Sequence, residues 1–442
     1  MNTFNTKPKQ ARVYVDATVL NETDFGAGIQ RVVRNILEQL PGTCGPQYEV
    51  SPVSWSNGNF RFAERVSRLA TNAEPAGNKP MFAPRHGDIF LGLDLNFGLI
   101  GQESFFQRLR ETGVQVYFVV YDLLPLLLPV CFPREIGHAY PKWFRLVCQN
   151  HGLIAISRAV AQEIREAEHR FGCVSGRPLK VGFFHLGADF SGKRDDANGT
   201  KVRSAVAAAV ESSAFLAVGT VEPRKAYRQI LDAFELLWGE GFDCGLVVVG
   251  KSGWMVDDLV ERMKKLRCSE ARFHWIEDAN DAELRYLYKQ SCGLLAASLG
   301  EGFGLPLVEA LTFGRPIVAR DLPVFREVAG DNAVYFSGHS GQSIAQAIRH
   351  AYPFDPKKRR STGFQPLTWA ESAQMLWDVL HGNPSHHHGS PPEAYSELHQ
   401  TSLLNTHSIS LGRLTNALVI RLEPRIPAFV KTAVRKILCR AT

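Results

Sequence analysis

Between residues 11 and 365, short runs rich in Val, Ile, Leu and Phe alternate with longer segments whose apolar residues recur at helical spacing. No other feature narrows the fold as much. A strand that is apolar at nearly every position must be covered on both faces, which is the condition of a parallel sheet flanked by helices. The runs predict eleven strands, at 12–16, 88–92, 115–120, 152–156, 180–184, 214–218, 245–249, 272–275, 293–296, 316–318 and 333–335. Amphipathic helices fall between them, as at 227–238 and 281–290. Eleven strands exceed the usual size of one sheet, so the expectation is α/β with two doubly wound, Rossmann-like domains.

The segment SGKRDDANGTKVRS (191–204) is polar, contains two glycines and suits a linker. It divides an N-terminal domain (1–195) from a C-terminal one (205–365), followed by a helix at 366–380. HGNPSHHHGSPPEAYS (381–396) then breaks all pattern and opens a flexible spacer reaching residue 410. Its adjacent histidines read as spacer more readily than as metal ligands.

Charge matters here for where it lies. The chain carries 50 Lys plus Arg against 44 Asp plus Glu, a net +6. Residues 411–442 hold seven cations and one anion, Glu423, so this stretch carries the whole imbalance and the rest sums to zero. A neutral body argues against a nucleic-acid-binding surface. At helical spacing, Phe429, Val430, Ala433, Val434, Ile437 and Leu438 gather on one side of 426–440, away from Lys431 and Arg435. That pattern suits a basic amphipathic helix on an anionic membrane surface, or one docked on the protein's own body. The eight cysteines form no Cys-x-x-Cys pair, and several sit in apolar runs, as expected of reduced, buried thiols in a cytoplasm. The N-terminus has no apolar core of a secretory signal. The longest apolar stretch, 114–130, is interrupted by Gln115, Tyr121-Asp122 and two prolines, so no membrane span is expected. The localisation expected is cytoplasmic, with the tail able to rest on the inner face of the membrane.

Open parallel sheets bind ligands beyond the carboxyl ends of their strands, and four such ends carry informative residues. After 12–16 comes Phe25-Gly26-Ala27-Gly28-Ile29-Gln30-Arg31, a glycine loop entering a helix where backbone N–H groups can approach an anion. Glycine punctuation alone explains it almost as well. After 214–218 comes Gly219-Thr220-Val221-Glu222-Pro223-Arg224-Lys225, whose two adjacent cations suit a diphosphate, with a solvated loop as the plainer reading. After 293–296 comes Ser298-Leu299-Gly300-Glu301-Gly302-Phe303-Gly304-Leu305-Pro306-Leu307-Val308-Glu309. Pro306 suits a first helical turn, leaving the loop's N–H groups at a positive helix end. Glu301 and Glu309 can accept hydrogen bonds from sugar hydroxyls, although Glu309 could instead favour the helix dipole. Fourth, Asp122 follows 115–120 as either a cleft carboxylate or a turn former.

The stretch from about 214 to 380 resembles the donor-binding half of GT-B glycosyltransferases of family 4. The resemblance rests on FLAVGTVEPRKAYRQILDAF, on GEGFGLPLVEA with seven residues between its two glutamates, and on Thr368-Trp369. In the N-terminal half it rests on FGAGIQRVVRNIL, VVYDLLPLLLP, LIAISRAVAQEI and HLGAD. The form FGAGIQRVVR is most similar to bacterial mannosyl- and rhamnosyltransferases that build surface polysaccharides.

The resemblance implies a retaining transfer of a hexose from a nucleotide-diphosphate sugar to a glycan or lipid-linked glycan, as in O-antigen synthesis. No cofactor is implied beyond that donor substrate. Arg224 and Lys225 would hold the diphosphate, Glu309 the ribose and Glu301 the sugar hydroxyls. Backbone amides of Gly302, Phe303, Gly304 and Leu305 would contact sugar and phosphate. Gly219 would lie in the donor site, Gly26 and Gly28 would face the pyrophosphate, and Ile276 would sit by the base. Glu301, Lys225, Arg224 and Asp122 form the expected catalytic group. The chain departs from the family where Tyr121 replaces a histidine and where Ala226 replaces the asparagine after Lys225. It contains no Asp-x-Asp, so a metal-dependent plan is disfavoured. The alternatives are a GT-B-type sugar-nucleotide epimerase, a phosphorylase, or a non-catalytic nucleotide-sugar-binding scaffold.

Overall fold

The computed structural model describes residues 10–24, 28–70, 82–170, 179–188, 202–211, 213–351 and 365–382. Two sheets organise them. The first contains β1 (Ala11–Asp16), β2 (Tyr48–Ser56), β3 (Asn59–Phe62), β4 (Ile89–Gly92), β5 (Gln115–Val120), β6 (Gly152–Ala155) and β7 (Lys180–Phe183), in the order β3-β2-β1-β4-β5-β6-β7. The second contains β8 (Ala214–Val218), β9 (Gly245–Val249), β10 (Phe273–Ile276), β11 (Gly293–Ala296), β12 (Ile317–Arg320) and β13 (Ala333–Phe336), in the order β10-β9-β8-β11-β12-β13. Every pairing is parallel except β2 with β3. In each sheet the strand order reverses beside the first strand, at β1/β4 and at β8/β11. These are the switch points at which doubly wound sheets open a crevice.

The strands bury both faces, as their composition requires: β4, β6, β9 and β12 are buried at every position. Eleven expected strands are present, some with bounds shifted by one or two residues, but the expected count is too low. β2 and β3 form a hairpin at the edge of the first sheet. Its turn, Asn57-Gly58, has positive φ at both residues (52° and 78°), the conformation that matches strand twist. β2 escapes an apolar-run criterion because it carries Ser51, Pro52 and Ser54.

The helix Trp369–Leu380 follows the second sheet in sequence but completes the core of the first. Trp369, Ala373, Leu376, Trp377 and Leu380 pack in one buried cluster with Val33, Ile36 and Leu37 of the helix Gly28–Thr43. Its start is fixed by Thr368, whose hydroxyl accepts from the Glu371 N–H while the Glu371 carboxylate accepts from the Thr368 N–H. The linker at 191–204 lies mostly outside the described residues. The spacer beyond 382 and the basic stretch 411–442 lie wholly outside them. Among the described residues no helix is long and apolar enough to cross a membrane.

Candidate functional site

The C-terminal ends of β8 and β11 carry the charged groups of the second switch point. β8 ends at Val218, and Gly219 turns the chain at φ 141°. A Cβ there would stand 3.1 Å from Lys225 Cε, so glycine lets the lysine stem lie against the strand end. Pro223–Lys225 forms one turn of 3-10 helix, which presents Arg224 and Lys225 together.

Both cations meet Glu301, from the loop after β11. Lys225 Nζ donates to Glu301 Oε1, and Arg224 Nη1 lies 2.9 Å from Glu301 Oε2. Ser298 Oγ donates to Glu301 Oε1 at 2.7 Å. Burial alone would raise the Glu301 carboxyl, but the two cations outweigh it and hold it down at about 2. Arg224 also makes an ion pair with the buried Glu222, Nε to Oε1 2.7 Å, without hydrogen-bond geometry. Lys225, Ser298, Glu301, Gly304, Pro306 and Phe325 line one pocket at this point.

The glycine loop is pressed against the opposite half of the molecule. A Cβ on Gly302 would come within 1.9 Å of the Tyr121 carbonyl oxygen, so no other residue fits that approach. Ser157 Oγ, following β6, donates to the Gly302 carbonyl at 2.8 Å. Phe303 packs 5.6 Å from the His185 ring, and His185 Nε2 lies 2.6 Å from Glu327 Oε1. Glu327, in the second half, also accepts from the Arg158 and Ala159 N–H groups that open a helix of the first half, at 2.7 and 2.9 Å. Gly304 precedes the helix Leu305–Thr312, with Pro306 in its first turn.

Asp122 lies where β5 meets this loop. Its Oδ1 accepts from the Leu124 N–H at 3.0 Å, as a turn former does. Burial raises its carboxyl, opposed by Arg224, while Glu301 and Lys225 also bear on it, so it shares the cleft with the charged cluster. Tyr121 precedes Asp122 at the end of this strand. Its ring is buried in the core and its hydroxyl donates to the Leu93 carbonyl at 2.8 Å.

Glu309 is 2 % exposed and faces the other half rather than its own helix end. Arg31 Nη1 donates to Oε1 at 2.5 Å, and Tyr288 OH donates to Oε2 at 2.7 Å. A helix-dipole role does not describe a carboxylate held this way. Ile276 closes β10, two strands from β8, with its carbonyl accepting from the Gly250 N–H at 3.0 Å; it is apart from the Glu301 cluster but on the same sheet edge. Gly28 begins the helix carrying Arg31, with open space beside it. Gly26 lies outside the described residues. Sequence reasoning missed Arg31, Tyr288, Glu222 and Ser298 as site residues. Glu222 and Ser298 were within reach, three residues from Lys225 and Glu301; nothing local marks the other two. Among the described residues no three His, Cys, Asp or Glu side chains converge as a metal site.

Two facing doubly wound domains, here with an Arg-Lys pair and a glycine loop at one switch point, are the architecture of the GT-B class of fold. Solved structures agree in architecture. Anabaena Alr3699/HepE in complex with UDP and glucose aligns with a TM-score of 0.55 at 15 % identity, covering 90 % of this chain and 100 % of that one. Sucrose-phosphate synthase from Thermosynechococcus elongatus aligns with a TM-score of 0.52 at 14 % identity, covering 84 % and 96 %.

Residues 200–363 match the family model described as "Glycosyl transferases group 1". Residues 200–363, the part built on the second sheet, are thus similar to that glycosyltransferase family. The chain is 36 % identical over 385 residues to the serotype-specific mannosyltransferase WbdA of Escherichia coli, covering 83 % of this chain and 44 % of that protein. It is also 29 % identical over 164 residues to the O-antigen chain mannosyltransferase B of Escherichia coli, covering 37 % and 42 %. The chain thus spans under half the length of these curated relatives.

Proposed function

We propose that the protein transfers a hexose, mannose or a similar sugar, from a nucleotide-diphosphate donor to a glycan or lipid-linked glycan in cell-surface polysaccharide synthesis, with retention at the anomeric carbon. The observation that carries this reading is the meeting of Arg224, Lys225 and Glu301 at the β8/β11 switch point. Similarity to mannosyltransferases over most of the chain supports the choice of sugar and of transfer over epimerisation or phosphorolysis.

The cations Arg224 and Lys225 are balanced by the carboxylates of Glu301 and Glu222. A donor diphosphate entering the crevice takes over Arg224 and Lys225, since its oxygens offer them more charge. Glu301 then turns its acceptor capacity to hydroxyls of the transferred sugar. As the glycosidic C–O bond breaks, negative charge grows on the departing diphosphate, where the two cations already stand. Backbone amides of the 302–305 loop lie at the helix start that favours such an anion. Glu309 takes the ribose, and Asp122 lies where an acceptor hydroxyl approaches from the first half. No enzyme nucleophile is assigned; positioning and charge stabilisation carry the step. The donor is a substrate, and no cofactor or metal is proposed.

The test is a panel of nucleotide-diphosphate sugars with a lipid-linked glycan acceptor, read by mass spectrometry with and without EDTA. Transfer of one hexose, undiminished by the chelator, is the expected result. Donor binding without turnover would point to a scaffold, and a strict divalent-metal requirement would sink the metal-free step. The basic stretch 411–442 is proposed to rest on the inner membrane surface, bringing the body to its acceptor. Deleting it should move the protein to the soluble fraction with donor binding kept; unchanged partitioning would rule the anchor out.

A further inference from the structure

Arg31 belongs to the first half, Glu309 to the second, and 278 residues separate them in sequence. Their contact crosses the cleft beside the charged cluster. Arg31 sits on the helix Gly28–Thr43, whose Val33, Ile36 and Leu37 are packed against the helix Trp369–Leu380, so its origin is fixed by the core. Glu309 is fixed from the other side. Tyr288 is fully buried, stacks on Phe313 at 5.8 Å and 17°, and donates to Oε2.

An ionised carboxylate offers about four acceptor positions, two on each oxygen. Arg31 occupies one on Oε1 and Tyr288 one on Oε2. One position therefore remains on each oxygen. Two acceptors side by side on a rigidly held carboxylate match two vicinal hydroxyls, which is the pattern of a ribose 2′,3′-diol.

We infer that Arg31 is a donor-positioning residue that acts through Glu309: it crosses the cleft to hold the carboxylate in the orientation that receives the ribose diol. The inference rests on the reading of this cleft as a nucleotide-sugar site. It adds that the ribose subsite is complete only when both halves contribute. Arg31 need not leave for the ribose to bind, because it and the diol use different acceptor positions. Loss of Arg31 leaves a buried carboxylate with one hydroxyl donor, free to turn away from the diol.

The experiment is calorimetric titration of the full chain with GDP, UDP and ADP, then of whichever binds best against its 2′,3′-dideoxy analogue. Wild type, Arg31→Gln and Arg31→Lys are compared. Wild type should prefer the ribose form. Arg31→Gln should lose about tenfold in affinity for it, with the ribose-over-dideoxy ratio falling towards one, and Arg31→Lys should lie between. A uniform structural defect would weaken both ligands and keep the ratio. If Arg31→Gln melts well below wild type, the Arg31→Lys ratio is read in its place, with a fall expected. A wild-type ratio in the folded variants, or no ribose preference in wild type, overturns the inference. Failure of wild type to bind any of the three nucleotides overturns the nucleotide-sugar reading itself.

Discussion

The two sheets share one strand order around their switch points, yet they put opposite things there. At β8/β11 the strand ends present Arg224, Lys225 and Glu301, charges paired with one another beside a pocket. At β1/β4 they present two aspartates turned wholly inward. Asp16 accepts from the Thr18 N–H at 3.0 Å and from Asn96 Nδ2 at 3.0 Å. Asp94 accepts from the N–H groups of Leu20 and Leu95, at 2.9 and 3.0 Å. Burial raises Asp16 to about 6 and, with Asp16 nearby, Asp94 to about 7. One crevice gathers paired charges at its mouth and the other consumes its polar capacity in tying loops together. Topology offers a site at each; side chains decide whether it is used.

The largest expected effect separates the two directly. Lys225→Ala and Glu301→Ala should each lower transferase turnover about 100- to 1,000-fold, the scale of removing one preorganised charge-stabilising group, with circular dichroism unchanged. Wild-type turnover in either would erase the functional distinction. Asp94→Ala should do the reverse. It strands the Leu20 and Leu95 amides, at roughly 1–3 kcal/mol for a buried unsatisfied group, while turnover of the folded fraction persists. A lowered melting temperature with normal kcat is the signature; lost kcat at wild-type stability would place chemistry at the first switch point too.

Protonation gives a smaller contrast of opposite sign. Asp16 and Asp94 hold protons more readily when folded than their ordinary value of 3.8 allows, so their contribution to stability weakens as pH rises from about 4 to 7. Glu301, held at about 2 rather than 4.5, contributes above about pH 4.5 and loses that contribution as pH falls towards 2. Amide exchange followed by mass spectrometry should therefore show β1 and β4 losing protection between about pH 4 and 7 relative to β8 and β11. Parallel profiles in the two sheets would remove the distinction.

Sequence patterning exposes this architecture unevenly, for physical reasons. Doubly buried strands announce themselves because every residue must be apolar, which is why β4, β6 and β9 are legible. The β2–β3 hairpin is not, since Pro52 and two serines interrupt its pattern; Asn57-Gly58 was the better signal there. At the site, Glu301, Arg224 and Lys225 are legible because local spacing places them just past strand ends. The surroundings of Glu309 are not, because Arg31 arrives from 278 residues away and Tyr288 from 21. Tyr121 stands where the family that the chain resembles has a histidine, and only the fold shows that its hydroxyl serves the Leu93 carbonyl.

The helix Trp369–Leu380 also sets an order of events during synthesis. The first sheet is translated by residue 183, but Trp369, Leu376 and Trp377, which cover one of its faces, follow nearly 200 residues later. At roughly 5–20 residues per second, the ribosome delivers them on the order of 10 to 40 s after the strands they cover. Through that interval Val33, Ile36 and Leu37 lack the apolar cover that this helix gives them. Of the two sheets, the first is made before the second yet completed after it.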